Sequence, residues 1–518
     1  MDAALLSLLV LTATVATSSA AEDEIIIIDD DSDDTIVIDA SEEQEPLALF
    51  DVRARVSTRF DSRLSIDTSF DRANEQVAEL LVGGALEIDA DFTTSLSAYA
   101  APRFSYVAAL DREGDDRAIL YFLTPEAWVR YAEGGLSLRV GAMTWAWGSS
   151  DLVSPNDNLN PVDYRQGALT LAGGTKIPVV GAEAVVTTGP LTFRGVIAPF
   201  FTASRFHLTS WDFSVLSGRP LIGLPQETVD AAFSPAYVDA GGDQVLLTDR
   251  PSQRLDNATL GGRATLALDD LDVSFTAVHG WDSVPRLVLD DDLAFVASKF
   301  AEANAMDGAP PFSDPEVLSA VARLQDKSEM GQTLFRGEVL RRTVFGVDAS
   351  WAVDPFVLKA DVAYTLARTV YDQNFDPFRL PWLNAVVGLE YYWTDRLQII
   401  VEAFAIVVRD VLNNKRLNFF EPRDPPPSTL PDGDRDVVLP GAVAAMFFSA
   451  LDGELRFELG LLATFTRGDF GIAPAVTWRV DDHHQLTLGG FALEGTATSI
   501  GGAYTNTDQV YVAYRFSY

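Results

Sequence analysis

The sequence predicts a transmembrane antiparallel up-and-down β-barrel of about 18 strands, or 16 or 20 if a hairpin is merged or missed. Three observations carry that fold class. Apolar and polar residues alternate with period two along most of the chain; the connections alternate between tight turns and longer loops; and no apolar run is long enough for a spanning helix, although 47% of the residues are hydrophobic.

Residues 1–20 read as a secretory signal, with an apolar run from Ala3 to Val15 and small residues from Ser18 to Ala21. Asp2 stands where a basic residue is usual. Residues 21–46 form an acidic periplasmic tail: positions 22–45 hold twelve acidic residues and no basic one, around Ile25–Ile28 and Ile36–Ile38. Such a segment cannot build a core. It is expected to be a solvated spacer, or a docking strand for a periplasmic partner at residues 22–45. Asp33 to Ala40 resemble the box that TonB-dependent receptors offer to their energising partner, but strand one begins near Leu47 and leaves no room for the plug of that class.

The barrel is expected over 47–518. In its first strand Val52, Ala54, Val56, Phe60, Leu64 and Ile66 share one parity, and Arg53, Arg55, Arg59, Asp61 and Arg63 the other. An apolar face suits lipid and a charged face a wet lumen. The remaining strands are expected at 77–88, 92–108, 121–132, 135–146, 178–188, 191–201, 257–268, 271–283, 335–352, 356–371, 381–393, 396–411, 440–450, 453–465, 470–480, 483–494 and 508–518. Tight turns at Asp89 to Asp91, Glu133 to Gly135, Gly189–Pro190, Asp269–Asp270, Asp354–Pro355, Thr394–Asp395, Leu451 to Gly453 and Asp481–Asp482 fall on one side. The long connections, 147–177, 202–256, 284–334, 412–439 and 495–507, fall on the other and are expected to be extracellular and partly helical. The final strand places Val510, Val512, Tyr514, Phe516 and Tyr518 on one face, and it resembles the C-terminal signal read by the barrel assembly machinery, with Tyr518 where Phe is usual.

Parity also assigns the lumen, because charge facing lipid at mid-bilayer costs about 2–4 kcal/mol. Lumen and pore candidates are Arg53, Arg55, Arg59, Arg63, Arg130, Arg139, Arg336, Arg342, Glu402, Arg456, Glu458 and Arg515. Cross-strand ion pairing explains them as structural residues. A functional reading makes Arg53, Arg55, Arg59 and Arg63 beside Arg515 a basic stripe that favours an anionic solute.

The loop after strand five runs from Trp147 through Asp151, Asn156, Asp157 and Asn160 to Asp163 and Tyr164; its Asx and proline turns predict a folded loop. Its carboxylates and amides are also oxygen ligands for calcium, but EF-hand spacing is absent. The string from Trp147 to Asp163, with the stretch His279 to Pro285 and Phe345 to Tyr364, resembles an uncharacterised family of proteobacterial outer-membrane barrels. That resemblance implies a porin-like protein associated with transport of hydrophobic compounds. Within 284–334, two helices are expected: Asp290 to Met306, and one with Asp314 as N-cap, Pro315 at N1 and Val317, Leu318, Val321 and Leu324 on a stripe. They suit a lid, an inward plug or a surface domain.

Several classes are excluded. With 38 basic and 75 acidic residues the net charge is −37, the reverse of what a nucleic-acid surface needs, and no cysteine is present for disulfides or thiolate metal sites. Four histidines, His207, His279, His483 and His484, give no convincing catalytic set, so no enzyme activity, cofactor or metal is expected. The expectation is a barrel in the bacterial outer membrane, in contact with the lipid bilayer, that passes small or hydrophobic solutes. The alternative is a non-conducting binding or scaffold barrel that engages partners through its loops and acidic tail.

Overall fold

The computed structural model describes residues 53–68, 76–111, 117–164, 176–206, 246–247, 251–305, 311–330, 332, 334–372, 375–394, 396–417, 420–421, 433–496, 499–504 and 507–518. The expected signal, the acidic tail, residues 47–52 and His207 lie outside them.

Period-two alternation produces one closed antiparallel sheet of eighteen strands. They are β1 (Arg53–Asp67), β2 (Gln76–Asp91), β3 (Leu96–Asp111), β4 (Arg117–Glu133), β5 (Leu136–Met143), β6 (Val179–Thr188), β7 (Leu191–Ala198), β8 (Thr259–Ala267), β9 (Leu271–Trp281) and β10 (Arg341–Val353). β11 (Phe356–Tyr371), β12 (Pro377–Thr394), β13 (Leu397–Val411), β14 (Arg435–Ala450), β15 (Leu455–Thr464), β16 (Phe470–Arg479), β17 (His484–Glu494) and β18 (Gln509–Ser517) complete the ring. Each strand pairs with its sequence neighbour, and β18 closes on β1 with Phe60 opposite Phe516 and Leu64 opposite Val512. Below β18 the closure continues through Thr58 and Tyr518, whose backbones exchange hydrogen bonds of 2.6 and 2.9 Å.

One end of the barrel carries the tight turns. Gly134 and Gly135, with φ of 60° and 118°, make the two-residue link between β4 and β5, which L side chains would resist. The opposite end carries the described parts of the long connections. Among them are α1 (Asp291–Ala305) and α2 (Pro315–Glu329), beside a small sheet made of Arg286–Leu289, Phe335–Glu338 and Leu246–Leu247. Asp314 caps α2 as expected, its Oδ1 accepting the Glu316 N–H at 2.8 Å. The buried stripe of α2 is Val317, Ala320 and Leu324; Leu318, expected on it, is 50% exposed.

The outer face is apolar. Val56, Ile66, Phe122, Val140, Phe275, Val387 and Leu488 all point outward and are exposed, an arrangement suited to hydrocarbon. At the turn end Trp351, Phe356, Trp393, Phe448, Trp478 and Tyr518 form an outward aromatic girdle. The barrel is therefore of the transmembrane type, because its outer face suits hydrocarbon and closure leaves no sheet edge with unpaired backbone groups in lipid.

Two strands differ from their expected bounds for a physical reason. Strand ten does not begin at residue 335: the pieces Phe335–Glu338 and Arg341–Val353 separate, and the first pairs outside the wall with Arg286–Leu289. Strand five stops at Met143 because the chain then turns inward, where Asn160 Oδ1 takes the Trp145 N–H at 2.7 Å.

Candidate functional site: a loop folded across the lumen

The described part of the connection between β5 and β6, 144–164 and 176–178, packs into the barrel interior. Its ends are stapled by Asn160, whose side-chain N–H groups donate to the carbonyls of Met143 and Ile177, both at 3.0 Å. From there the loop reaches β10, β11 and β13; β13 lies eight positions from β5 in a ring of eighteen, nearly opposite.

The far anchorage is electrostatic. Glu402 on β13 accepts the backbone N–H groups of Asp151 at 2.7 Å, Leu152 at 3.2 Å and Val153 at 2.8 Å. The carboxylate thereby replaces water with three fixed donors, and its residue is fully buried. Asp361 on β11 accepts from Ser154 Oγ at 3.0 Å and from the Asn156 side-chain amide. Ser149 Oγ donates to the carbonyls of Ala349 and Ala360, and Arg342 donates to the Asn158 carbonyl at 2.9 Å. Lys359 joins Asp151 at 2.6 Å and Glu390 at 2.9 Å. Burial pushes the Asp151 carboxyl above the usual range, against the pull of Lys359.

Apolar packing completes the clamp. Trp145 and Trp147 are each 2% exposed and belong to one cluster with Leu159, Val179, Val196, Val278, Val344 and Ala363. Three strand glycines make room. A Cβ on Gly261 would come within 2.8 Å of the Trp147 ring, one on Gly346 would overlap the Asn156 amide, and one on Gly181 would stand 3.3 Å from the Trp145 ring. Sequence reasoning missed these glycines; an isolated glycine inside a strand pattern was the available signal of close approach.

Beyond the loop the lumen has two unlike walls. From β1 to β11 it is charged and paired: Arg63 with Glu79 at 3.1 Å, Glu183 with Arg139 at 2.9 Å and Arg194 at 3.4 Å, and Arg263 with Asp348 at 2.7 Å. From β12 to β18 it is mostly apolar, with Val386, Ile400, Phe404, Ile406, Val443, Leu462, Phe491 and Tyr511 buried inside. This apolar wall is continuous with Leu152 and Tyr164 of the loop, and with Leu293, Val296, Phe300 and Leu324 of the helices at the mouth. Leu287 donates its N–H to the Tyr371 hydroxyl at 2.8 Å, fixing the helical connection to the top of β11.

The sequence candidates divide accordingly. Trp147, Asp151, Asn156 and Asn160 come together in the lumen, but the loop carboxylates do not converge as a calcium site. Asp151 goes to Lys359, Asp157 to Lys176 and Asp163 to Arg205 at 3.8 Å. Glu402, Arg342 and Arg139 point inward, and Arg130 is exposed at the turn end with its Nε donating to Ser137 at 3.1 Å. Arg456 pairs with buried Glu458 at 3.3 Å. Arg336 is not in the wall; it sits on the small outer sheet, 3.8 Å from Asp291. The basic stripe is also corrected. Arg59 and Arg515 both meet Asp61, at 3.1 and 2.7 Å, and Arg63 meets Glu79, so each of these three guanidinium groups has a carboxylate partner and their charge is largely offset; Arg53 and Arg55 lie exposed past the end of β18, opposite Asp91 and Asp89.

Of the histidines, His279 faces outward, with Nδ1 2.9 Å from Thr343 Oγ1, while Asp282 lies 3.7 Å from Arg342. His483 and His484 donate backbone N–H groups to Asp481 in a polar turn, both at 2.8 Å. Their neighbours Tyr514, Phe516 and Tyr518 lie at the turn end, where the His484 ring is 2.6 Å from the Tyr514 hydroxyl.

No protein-family model and no curated protein matches the chain. Among solved structures, a BenF-like porin from Pseudomonas fluorescens Pf-5 is 9% identical, with 90% of this chain and 98% of that one covered at a TM-score of 0.44. OccK7 (OpdD) of Pseudomonas aeruginosa is 10% identical, with 90% and 99% covered at 0.44. OccK5 (OpdH) of the same organism is 10% identical, with 90% and 97% covered at 0.42. Likeness this distant carries no functional weight, so function has to be reasoned from the barrel's own geometry.

Proposed function

We propose that the chain is an outer-membrane, porin-like barrel that passes a small solute with a substantial apolar part. The observation that supports this reading most is the loop pinned by Glu402 between a charged wall and an apolar one. A solute crossing there meets hydrocarbon side chains on one side and fixed polar groups on the other, which favours amphiphiles over simple ions. The lipid bilayer surrounds the wall, and the barrel assembly machinery reads the final strand.

A second reading has its own support. The apolar cluster that runs from β13 through Leu152 and Tyr164 packs the lumen wall against α1 and α2, a contact that suits a non-conducting scaffold barrel. Planar-bilayer recording of the full-length protein separates the two. Stepwise currents altered by an aromatic carboxylate support passage; a silent barrel, silent also after deletion of 291–329, supports the scaffold.

A further inference from the structure

On the outer wall, β6 to β11 frame a shallow cavity of 920 Å³. Its floor is a row of small residues set side by side by the register: Ala184 opposite Gly195, Gly195 opposite Gly262, and Gly262 opposite Ala277. Phe193, Phe275 and Phe345 stand around it, all outward and exposed.

A cationic rim lies above this groove toward the loop end. Arg341 is four residues up β10 from Phe345, roughly 13 Å along the strand. Its guanidinium lies 4.6 Å from the Trp281 ring centroid and 3.2 Å from the His279 ring, and it donates to Asn257 Oδ1 at 3.0 Å and the Asp256 carbonyl at 3.3 Å. Arg379, exposed on β12, donates to the Arg341 carbonyl. Among the described residues neither guanidinium has a carboxylate at ion-pair distance, whereas Arg63, Arg139, Arg194 and Arg263 on the inner side of the wall each meet one.

Two such cations on a lipid-facing surface are unfavourable without an anion nearby, and Trp281 marks the depth at which headgroups lie. We infer that this face binds a phosphate-bearing lipid of the outer leaflet, with the phosphate between Arg341 and Arg379 and an acyl chain over Gly262. The inference rests on the membrane-spanning reading, not on solute passage. A second copy of the chain related by a two-fold axis along the membrane normal would bring like-charged rims together, so a lipid fits the groove better.

The test is native mass spectrometry of the full-length protein titrated with phosphatidylglycerol and with diacylglycerol of the same chains. R341Q/R379Q should weaken phosphatidylglycerol retention by about tenfold or more and leave diacylglycerol unchanged. G195L/G262L should weaken both lipids; a Cβ at either glycine meets no atom within 4 Å, so the wall accepts the change. Heat-modifiable gel migration verifies folding, and bilayer conductance should match the parent in both variants, which keeps this test separate from that of passage. Equal retention of both lipids by all forms would overturn the inference. So would displacement by millimolar inorganic phosphate, or a change of oligomeric mass in G195L/G262L with lipid retention intact.

Discussion

Glu402 Oε1 lies 2.7 Å from the backbone nitrogen of Asp151, joining β13 to a loop that leaves the wall at β5. Hydrogen bonds to a charged group are worth about 1.5–3 kcal/mol each, and Glu402 makes three with this loop. Glu402→Gln should therefore loosen the loop without unfolding the wall. Larger and noisier single-channel currents, with faster protease cleavage within 144–164, are the expected outcome; parent-like currents and cleavage would show that the loop is held by packing alone.

Gly346 gives a steric test of the same contact. A Cβ there would overlap Asn156 Oδ1, so Gly346→Ala must displace Asn156 from Asp361. Overpacking of this kind costs about 1–3 kcal/mol. Denaturant unfolding in detergent should register that loss, while Gly195→Ala on the outer wall, with open space before it, should register almost none.

Acid should loosen the helical cap. Asp292 on α1 is held below the usual carboxylate range, first by its hydrogen bond to Arg323 and then by Lys327, both on α2. A depressed folded pKa stabilises above the unfolded value, and that stability is lost as pH falls through the folded one. The α1–α2 contact should hold at pH 5 to 7 and weaken below about 4. Amide exchange over 291–329, corrected for intrinsic rate, checks this; Asp292→Asn should raise exchange at pH 7 and remove most of the acid effect.

Assembly should depend on the last strand. Phe516 sits opposite Phe60 and Tyr518 exchanges backbone hydrogen bonds with Thr58, so the C-terminal residues complete the seam. Replacement of Tyr514, Phe516 and Tyr518 by Ala should cut the yield of heat-modifiable barrel in membranes severalfold. Arg515→Gln, which leaves Asp61 with Arg59, should assemble normally.

Period-two parity and the alternation of short and long connections were enough to read the barrel, its strand count, which end carries the turns, and the capped helix at Asp314. Those features are local: a strand's two faces and a turn's chemistry are written within a dozen residues. Arg336 was misplaced because the break at Val339 and Leu340 looks like continuing alternation, and only pairing with Arg286–Leu289 removes the segment from the wall. For the basic stripe, parity puts Arg59, Asp61, Arg63 and Arg515 on one face, but which guanidinium meets which carboxylate was decided by register, which sets Asp61 opposite Arg515 and Arg63 against Glu79.

The loop from Trp147 to Tyr164 marks the boundary most clearly. Its sequence by itself determined a turn-rich, folded segment. That it folds inward, and that Glu402, Asp361 and Gly346 receive it, was decided by the tertiary structure, because those residues lie some 190 to 250 positions away in the chain and only barrel closure brings strand thirteen across from strand five.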